Sequence, residues 1–220
     1  RLNSFNIEGQ NKNLLKLLLS SNNIYDLDWN SVRFERLNTL NLDHNKIQRI
    51  KKFYFSNIKS LSNLKLNHNR ISSIHRESFL NLNHLNELDL SHNCLFEINK
   101  YLFSNQLNLR ILDLSFNLIK VIDTNQFKQL NELKASNNLI ENFHLRSGSK
   151  ISSINLENNP LLKNLFLNNS FFYYLNLNNN KRINLRHSLI NINRIQNLYI
   201  SKIKFNIMEN ELHSIIENLI

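Results

Sequence analysis

The chain has 220 residues, a formal net charge of +10, 41% apolar residues, two glycines, one proline and one cysteine. These numbers exclude long flexible linkers, an internal disulfide and a cysteine-built zinc site. So basic a balance favours acidic partners in general, nucleic acid, anionic lipid or glycan among them.

No apolar run reaches the length of a membrane span, about 20 residues. The chain begins at Arg1 without a signal-like apolar stretch, as expected of a mature product or an excised fragment. Residues 1–13 are expected to form an N-terminal cap, because Leu2, Phe5 and Ile7 echo the spacing of a strand that recurs along the rest of the chain.

From Leu14 a repeat sets in. In Leu85 to Leu95, Leu-Asn-Glu-Leu-Asp-Leu-Ser-His-Asn-Cys-Leu, apolar residues fall at positions 1, 4, 6 and 11, with Asn93 at position 9. Position 4 is held in turn by Leu17, Leu40, Leu64, Leu88, Leu112, Leu133, Ile154, Leu175 and Leu198. The period is 23 or 24 residues as far as Leu112, 21 as far as Leu175, and 23 for the last step. Alternation at positions 4 and 6 predicts a short strand with one buried face, which only stacked neighbours can cover. The pattern therefore predicts a solenoid with a parallel sheet on one side.

Two further columns read as structural. Asn22, Asn45, Asn69, Asn93, Asn117, Asn138, Asn159 and Asn180 hold position 9, where an amide can satisfy backbone groups of its own turn and of the next. Phe55, Phe79, Phe103 and Phe127 hold position 19, behind Ile50, Ile74, Ile98 and Ile122 at position 14, and predict a buried aromatic spine.

The extended pattern L-x-x-L-x-L-x-x-N-x-L-x-x-I-x-x-x-x-F resembles the typical, 24-residue class of leucine-rich repeats found in Toll-like receptor ectodomains. Asp89-Leu90-Ser91-His92-Asn93 and Asp113-Leu114-Ser115-Phe116-Asn117 carry the likeness most closely, over roughly residues 14–130. The change from long to short repeats also resembles the secreted leucine-rich-repeat immune proteins of insects. In those, a cysteine-linked helical region follows the solenoid and dimerises, and this chain lacks the cysteines for it. The resemblance implies an α/β repeat solenoid: a horseshoe with its parallel sheet on the concave side and an irregular or short helical convex side. The expected division is a cap over 1–13, a solenoid of about nine repeats over 14–205 with a change of period near 130, and a C-terminal capping helix over 206–220. The helix is read from Ile207, Met208, Leu212, Ile215, Ile216, Leu219 and Ile220, spaced by three and four.

A solenoid displays its concave positions as one continuous array, so partner binding is expected there. The candidate residues are Asn41, His44, Lys65, His68, Glu87, Asp89, His92, Ile111, Asp113, Phe116, Glu132, Lys134, Tyr174 and Tyr199. Glu87, Asp89, Asp113 and Glu132 lie in adjacent turns and make an acidic patch suited to a basic protein partner. The excess positive charge then falls on the loops and convex side. His44, His68 and His92 share position 8 with Phe116. Such a column is first of all decoration typical of this repeat class; a proton switch near pH 6 is the functional alternative, and a metal site the least favoured. Asn168-Asn169-Ser170 is a glycosylation sequon on the convex side. No glycine-rich phosphate loop appears and Cys94 has no catalytic context. The expectation is a non-catalytic module without cofactor, binding a protein ligand, extracellular or at the cell surface. The alternatives are a cytoplasmic scaffold or regulator, and a polyanion binder using its basic convex or lateral surface.

Overall fold

The computed structural model describes residues 2–6, 9–10, 12–28, 32–168, 171–183, 192 and 194–203. Nine parallel strands form the main sheet and neighbour one another in chain order: Lys16–Leu18, Thr39–Asn41, Asn63–Lys65, Glu87–Asp89, Ile111–Asp113, Glu132–Lys134, Ser153–Asn155, Phe171–Asn176 and Arg194–Tyr199. Register is kept throughout, so position 4 faces position 4: Leu40 opposes Leu64, Leu64 opposes Leu88, and Leu88 opposes Leu112. The next strand continues the chain of backbone bonds, with Leu66 N–H donating to Asp89 O at 2.8 Å and Leu90 N–H to Asp113 O at 2.9 Å. The position-4 and position-6 side chains from Leu40 to Leu177 are fully buried. Their alternation with polar neighbours places the core behind the sheet and the polar array in front of it.

The asparagine column closes each turn. Asn93 Nδ2 donates to Leu66 O, Leu90 O and Ser91 O at 3.0, 3.1 and 3.0 Å, and its Oδ1 accepts from Ile71 N–H at 2.9 Å. Asn45, Asn69 and Asn117 repeat these four bonds. Each amide therefore ties its own turn to the turn before it.

The two repeat lengths build different outer walls. In the 24-residue repeats the outer chain runs as turns over 52–57, 76–81 and 100–105. Phe55, Phe79, Phe103 and Phe127 stack inside them, with centroids 5.8, 6.1 and 5.8 Å apart. In the 21-residue repeats there is no length for that turn. The chain is extended instead, and Asn142–Leu145 pairs in parallel with Asn164–Leu167. Phe143, Leu145, Leu165 and Leu167 are buried there in place of the spine. Among the described residues the one helical element is the 3-10 turn Thr124–Gln126, capped by Asp123. No helix among them is long and apolar enough to cross a membrane.

The N-terminal segment departs from the expected capping strand. Leu2 N–H donates to Asn22 Oδ1 at 3.0 Å, as Ile24 N–H donates to Asn45 Oδ1 at 2.9 Å. Leu2 thus occupies position 11 of a turn, not position 1. Ser4–Asn6 accordingly pairs with Asp26–Asp28 on the outer wall, away from the main sheet. The spacing of Leu2, Phe5 and Ile7 fits either half of a repeat, and hydrogen bonding to the ladder decides for the second half. Leu18, at the sheet's first strand, is 65% exposed. The capping helix expected over 206–220 lies outside the described residues.

Candidate recognition surface

Position 5 of the concave array is only partly free. Asn41, Asp89, Asp113, Asn155 and Asn176 each turn an Oδ1 back to accept the N–H two residues on, at 3.0, 2.9, 2.9, 3.0 and 3.1 Å. These are Asx turns that end the strands. Asp89 also accepts from Ser91 Oγ at 2.7 Å, and Glu87 accepts from Asn63 Nδ2 at 3.2 Å. Glu132 pairs with Lys134 at 3.4 Å. The acidic patch is therefore largely engaged in local structure. Burial pushes the Asp113 carboxyl above its usual range despite the Ser115 hydrogen bonds. Lys65 stands exposed and Ile111 half-buried on the same face.

Position 8 carries a feature that spacing alone does not reveal. Every described residue there lies in the left-handed region: Ser21, His44, His68, His92, Phe116, Asn137, Asn158, Asn179 and Lys202, with φ between 51° and 62°. The chain must reverse sharply out of each strand just before the ladder amide, and this conformation makes the turn. Asparagine tolerates it well, which accounts for the later repeats. The first half of the chain instead places rings there, and they form a column. His44 and His68 stack at 4.2 Å, His68 and His92 at 4.0 Å, His92 and Phe116 at 4.1 Å, with interplanar angles of 21°, 12° and 11°. Beyond it Asn158 Nδ2 donates to Asn137 Oδ1 at 3.1 Å, replacing ring contact with an amide bond.

Faces that meet in this way leave the ring nitrogens on parallel edges. Among the described residues no group of three ligating side chains is placed to hold a metal ion. The middle ring, His68, is held toward its neutral form. Burial lowers the pKa of His68 below the ordinary 6.5, His92 and His44 on either side lower it further, and Asp89 and Asp43 oppose them. A pKa depressed by folding means that the unfolded chain takes up the proton first. The stability that His68 contributes is complete above its unfolded value and is lost as pH falls through the lower folded one. Resistance of the native sequence to urea should therefore weaken as pH falls below the ordinary histidine value of 6.5 more than that of His68→Gln. Parallel pH profiles for the two proteins would rule the effect out.

Towards the C-terminal end, Tyr174 and Tyr199 lie 5.3 Å apart on adjacent strands. Beside them is a cavity of about 290 Å³ on the concave face, lined by Glu132, Lys134, Ser153, Asn155, Tyr173 and Tyr174 among others. It exists because small Ser153 lies between Glu132 and Tyr174 in the paired register. Tyr173, absent from the candidate residues, is 54% exposed at its rim. On the outer wall Lys52, Arg76 and Lys100 hold position 16 of successive repeats and are exposed. Glu77 bridges the first two, at 3.2 and 3.4 Å. Asn168 follows the outer strand Asn164–Leu167 and is half-buried.

A family model described as leucine rich repeat matches residues 35–95 and 84–140. Together with the ladder, the in-register sheet and the turn chemistry, that decides the fold. The chain folds as a leucine-rich-repeat solenoid. Solved solenoids resemble it over most of its length. The leucine-rich repeat domain of APL1B is 19% identical, with a TM-score of 0.69 over 87% of this chain and 65% of that one. TLR13, solved as a complex with ssRNA13, is 23% identical, with a TM-score of 0.64 over 84% of this chain and 30% of that one. Drosophila Toll, solved with Spatzle, is 18% identical, with a TM-score of 0.67 over 96% of this chain and 29% of that one. This leucine-rich-repeat chain thus spans 65% of the APL1B domain and under a third of the two receptor chains. A search of curated proteins finds no match.

Proposed function

We propose that this leucine-rich-repeat solenoid is a non-catalytic recognition module that binds a protein partner across its concave face and the adjoining rim of stacked rings. We further place it outside the cell, in an innate-immune-type role. The observation that carries the reading is Phe116. Its φ of 55° is a conformation that costs a bulky L-residue about 1–2 kcal/mol. Its ring is 46% exposed, so stacking on His92 returns little of that cost. Asn137 and Asn158 show the residue type that suits the turn. Strain held at an exposed aromatic, with little packing return, is the mark of a contact residue. The Toll–Spatzle complex, a protein ligand on a similar solenoid, supports the protein reading, and the Asn168 sequon supports the secretory one.

Phe116→Asn tests it. The variant should keep or raise stability, by about 0.5–1 kcal/mol, and should lose roughly tenfold or more in affinity for proteins that the immobilised native chain captures from its source. Lys100→Glu on the outer wall should leave that capture intact. Equal capture by Phe116→Asn and the native chain would refute the concave-rim reading.

A second reading has its own observation, the cation column Lys52, Arg76 and Lys100 on the outer wall. It fits a polyanion, and the TLR13–ssRNA13 complex shows nucleic acid bound by a similar solenoid. Binding of that kind falls steeply with salt and is lost on reversing Lys100, the opposite of the outcome expected above.

A further inference from the structure

We infer that the concave trough over Ser153 receives an arginine side chain of the protein partner; this rests on the concave-face reading above and names what that face recognises. At about 290 Å³ the trough is just below the usual range of small-molecule sites, about 300–1,000 Å³, and suits a single side chain. One wall is Tyr174, kept in place by Tyr199 behind it and by Asn176 Nδ2, which donates to its hydroxyl at 3.3 Å. A guanidinium lies flat on such a ring. The opposite wall offers the Glu132 carboxylate, and the floor offers the Ser153 hydroxyl and the Asn155 amide. A flat cation on an aromatic face, with a carboxylate at its edge and a hydroxyl oxygen beneath, is the set of contacts that the guanidinium fork makes.

Glu132 is available for this exchange. Its pairing with Lys134 is half-buried, with 33% of the Glu132 side chain and 43% of the Lys134 side chain exposed, and pairs so open to water hold little energy. Lys134 does not depend on it alone. Burial acts to lower the lysine's pKa, yet Glu132, Asp113 and Asp89 together outweigh burial and hold it above its ordinary value. Asp113 and Asp89 still act on the ammonium through space when Glu132 turns to an incoming guanidinium. Charge agrees: Glu87, Asp89, Asp113 and Glu132 outnumber Lys65 and Lys134 on this stretch of sheet, in a chain of net charge +10.

The test uses N-acetyl-arginine amide as probe, with the lysine and citrulline amides as controls. Binding is followed by NMR through the Tyr174 ring, assigned by comparison with Tyr174→Phe. The expected result is a saturable shift at millimolar arginine amide, about tenfold weaker for lysine because an ammonium lacks the fork. The shift should be absent in Glu132→Gln and in Ser153→Trp, which fills the trough from the surface without touching the core. No saturable shift, equal response to lysine, or a shift that survives Glu132→Gln would each overturn the inference. The two readings fail separately. If Phe116→Asn abolishes partner capture while Ser153→Trp leaves it intact and the probe does not bind, only the arginine site falls. If neither substitution affects capture, the concave-face reading falls with it.

Discussion

Asn93→Ala is expected to cost about 3–5 kcal/mol, more than any single substitution on the concave surface. The amide makes four bonds in a site that is 8% exposed. Alanine replaces none of them. Ile71 N–H loses its acceptor beside a side chain that is fully buried, while Leu66 O and Leu90 O lose one of two donors and keep the amides of Asn69 and Asn117. The one buried group left unpaired costs about 1–3 kcal/mol and each of the three lost carbonyl bonds about 0.5–1.5 kcal/mol, so together they approach much of a domain's stability. Asn93→Asp makes the sharper comparison. It keeps the acceptor for Ile71 but faces three carbonyl oxygens with a carboxylate, so it should destabilise at least as much as alanine. Denaturant unfolding of the three proteins checks both statements. A cost below about 1 kcal/mol for alanine would mean that water replaces the ladder at little expense. The effect should also reach the recognition surface, because Asn93 fixes the turn in which His92 holds its left-handed backbone between His68 and Phe116.

Much of the solenoid is legible in the sequence, because the elements that define it are periodic. Position 4 recurs from Leu17 to Leu198, and one buried face repeated nine times has few ways to fold. Phe143 and Phe172 are fully buried and fall at positions 14 and 1 of their repeats, so the period finds them although the spine has ended. What escapes the period escapes the sequence. Gln106 and Gln126 read as surface residues. Yet Gln106 Nε2 donates to Phe79 O at 2.6 Å, and Gln126 Oε1 accepts from Phe103 N–H at 3.0 Å. The candidate surface shows the same division. The column His44, His68, His92 and Phe116 is visible as a spacing, but its stacking and its left-handed backbone belong to the turn. Asp89 and Asp113 look like free carboxylates in sequence. They are strand-ending turns in the fold, because the nearest donor to an aspartate there is its own backbone two residues on.

Phe79→Ala should match the loss of a ladder asparagine, at about 3–5 kcal/mol, by a different route. The ring is fully buried and has neighbours on both sides, Phe55 at 5.8 Å and Phe103 at 6.1 Å. Its removal opens a cavity that the flanking turns cannot close, because their backbones are pinned to adjacent repeats: Phe79 O by Gln106 and Phe103 N–H by Gln126. Phe127→Ala is the internal control. That ring has one stacked neighbour and is only partly buried, so its loss should cost distinctly less. In a solenoid each repeat is held mainly by the two beside it, so a weak turn in the middle separates the chain into two parts that open independently. Hydrogen exchange should then show faster opening of the backbone from Ile50 to Phe103 in Phe79→Ala, with the strands Ser153–Asn155 and Phe171–Asn176 still protected. Uniform loss of protection along the whole sheet would instead mean that the nine strands unfold as a single unit. The trough at Ser153 would then depend on the spine four repeats away, and Phe79→Ala would abolish arginine-amide binding without changing any residue that lines it.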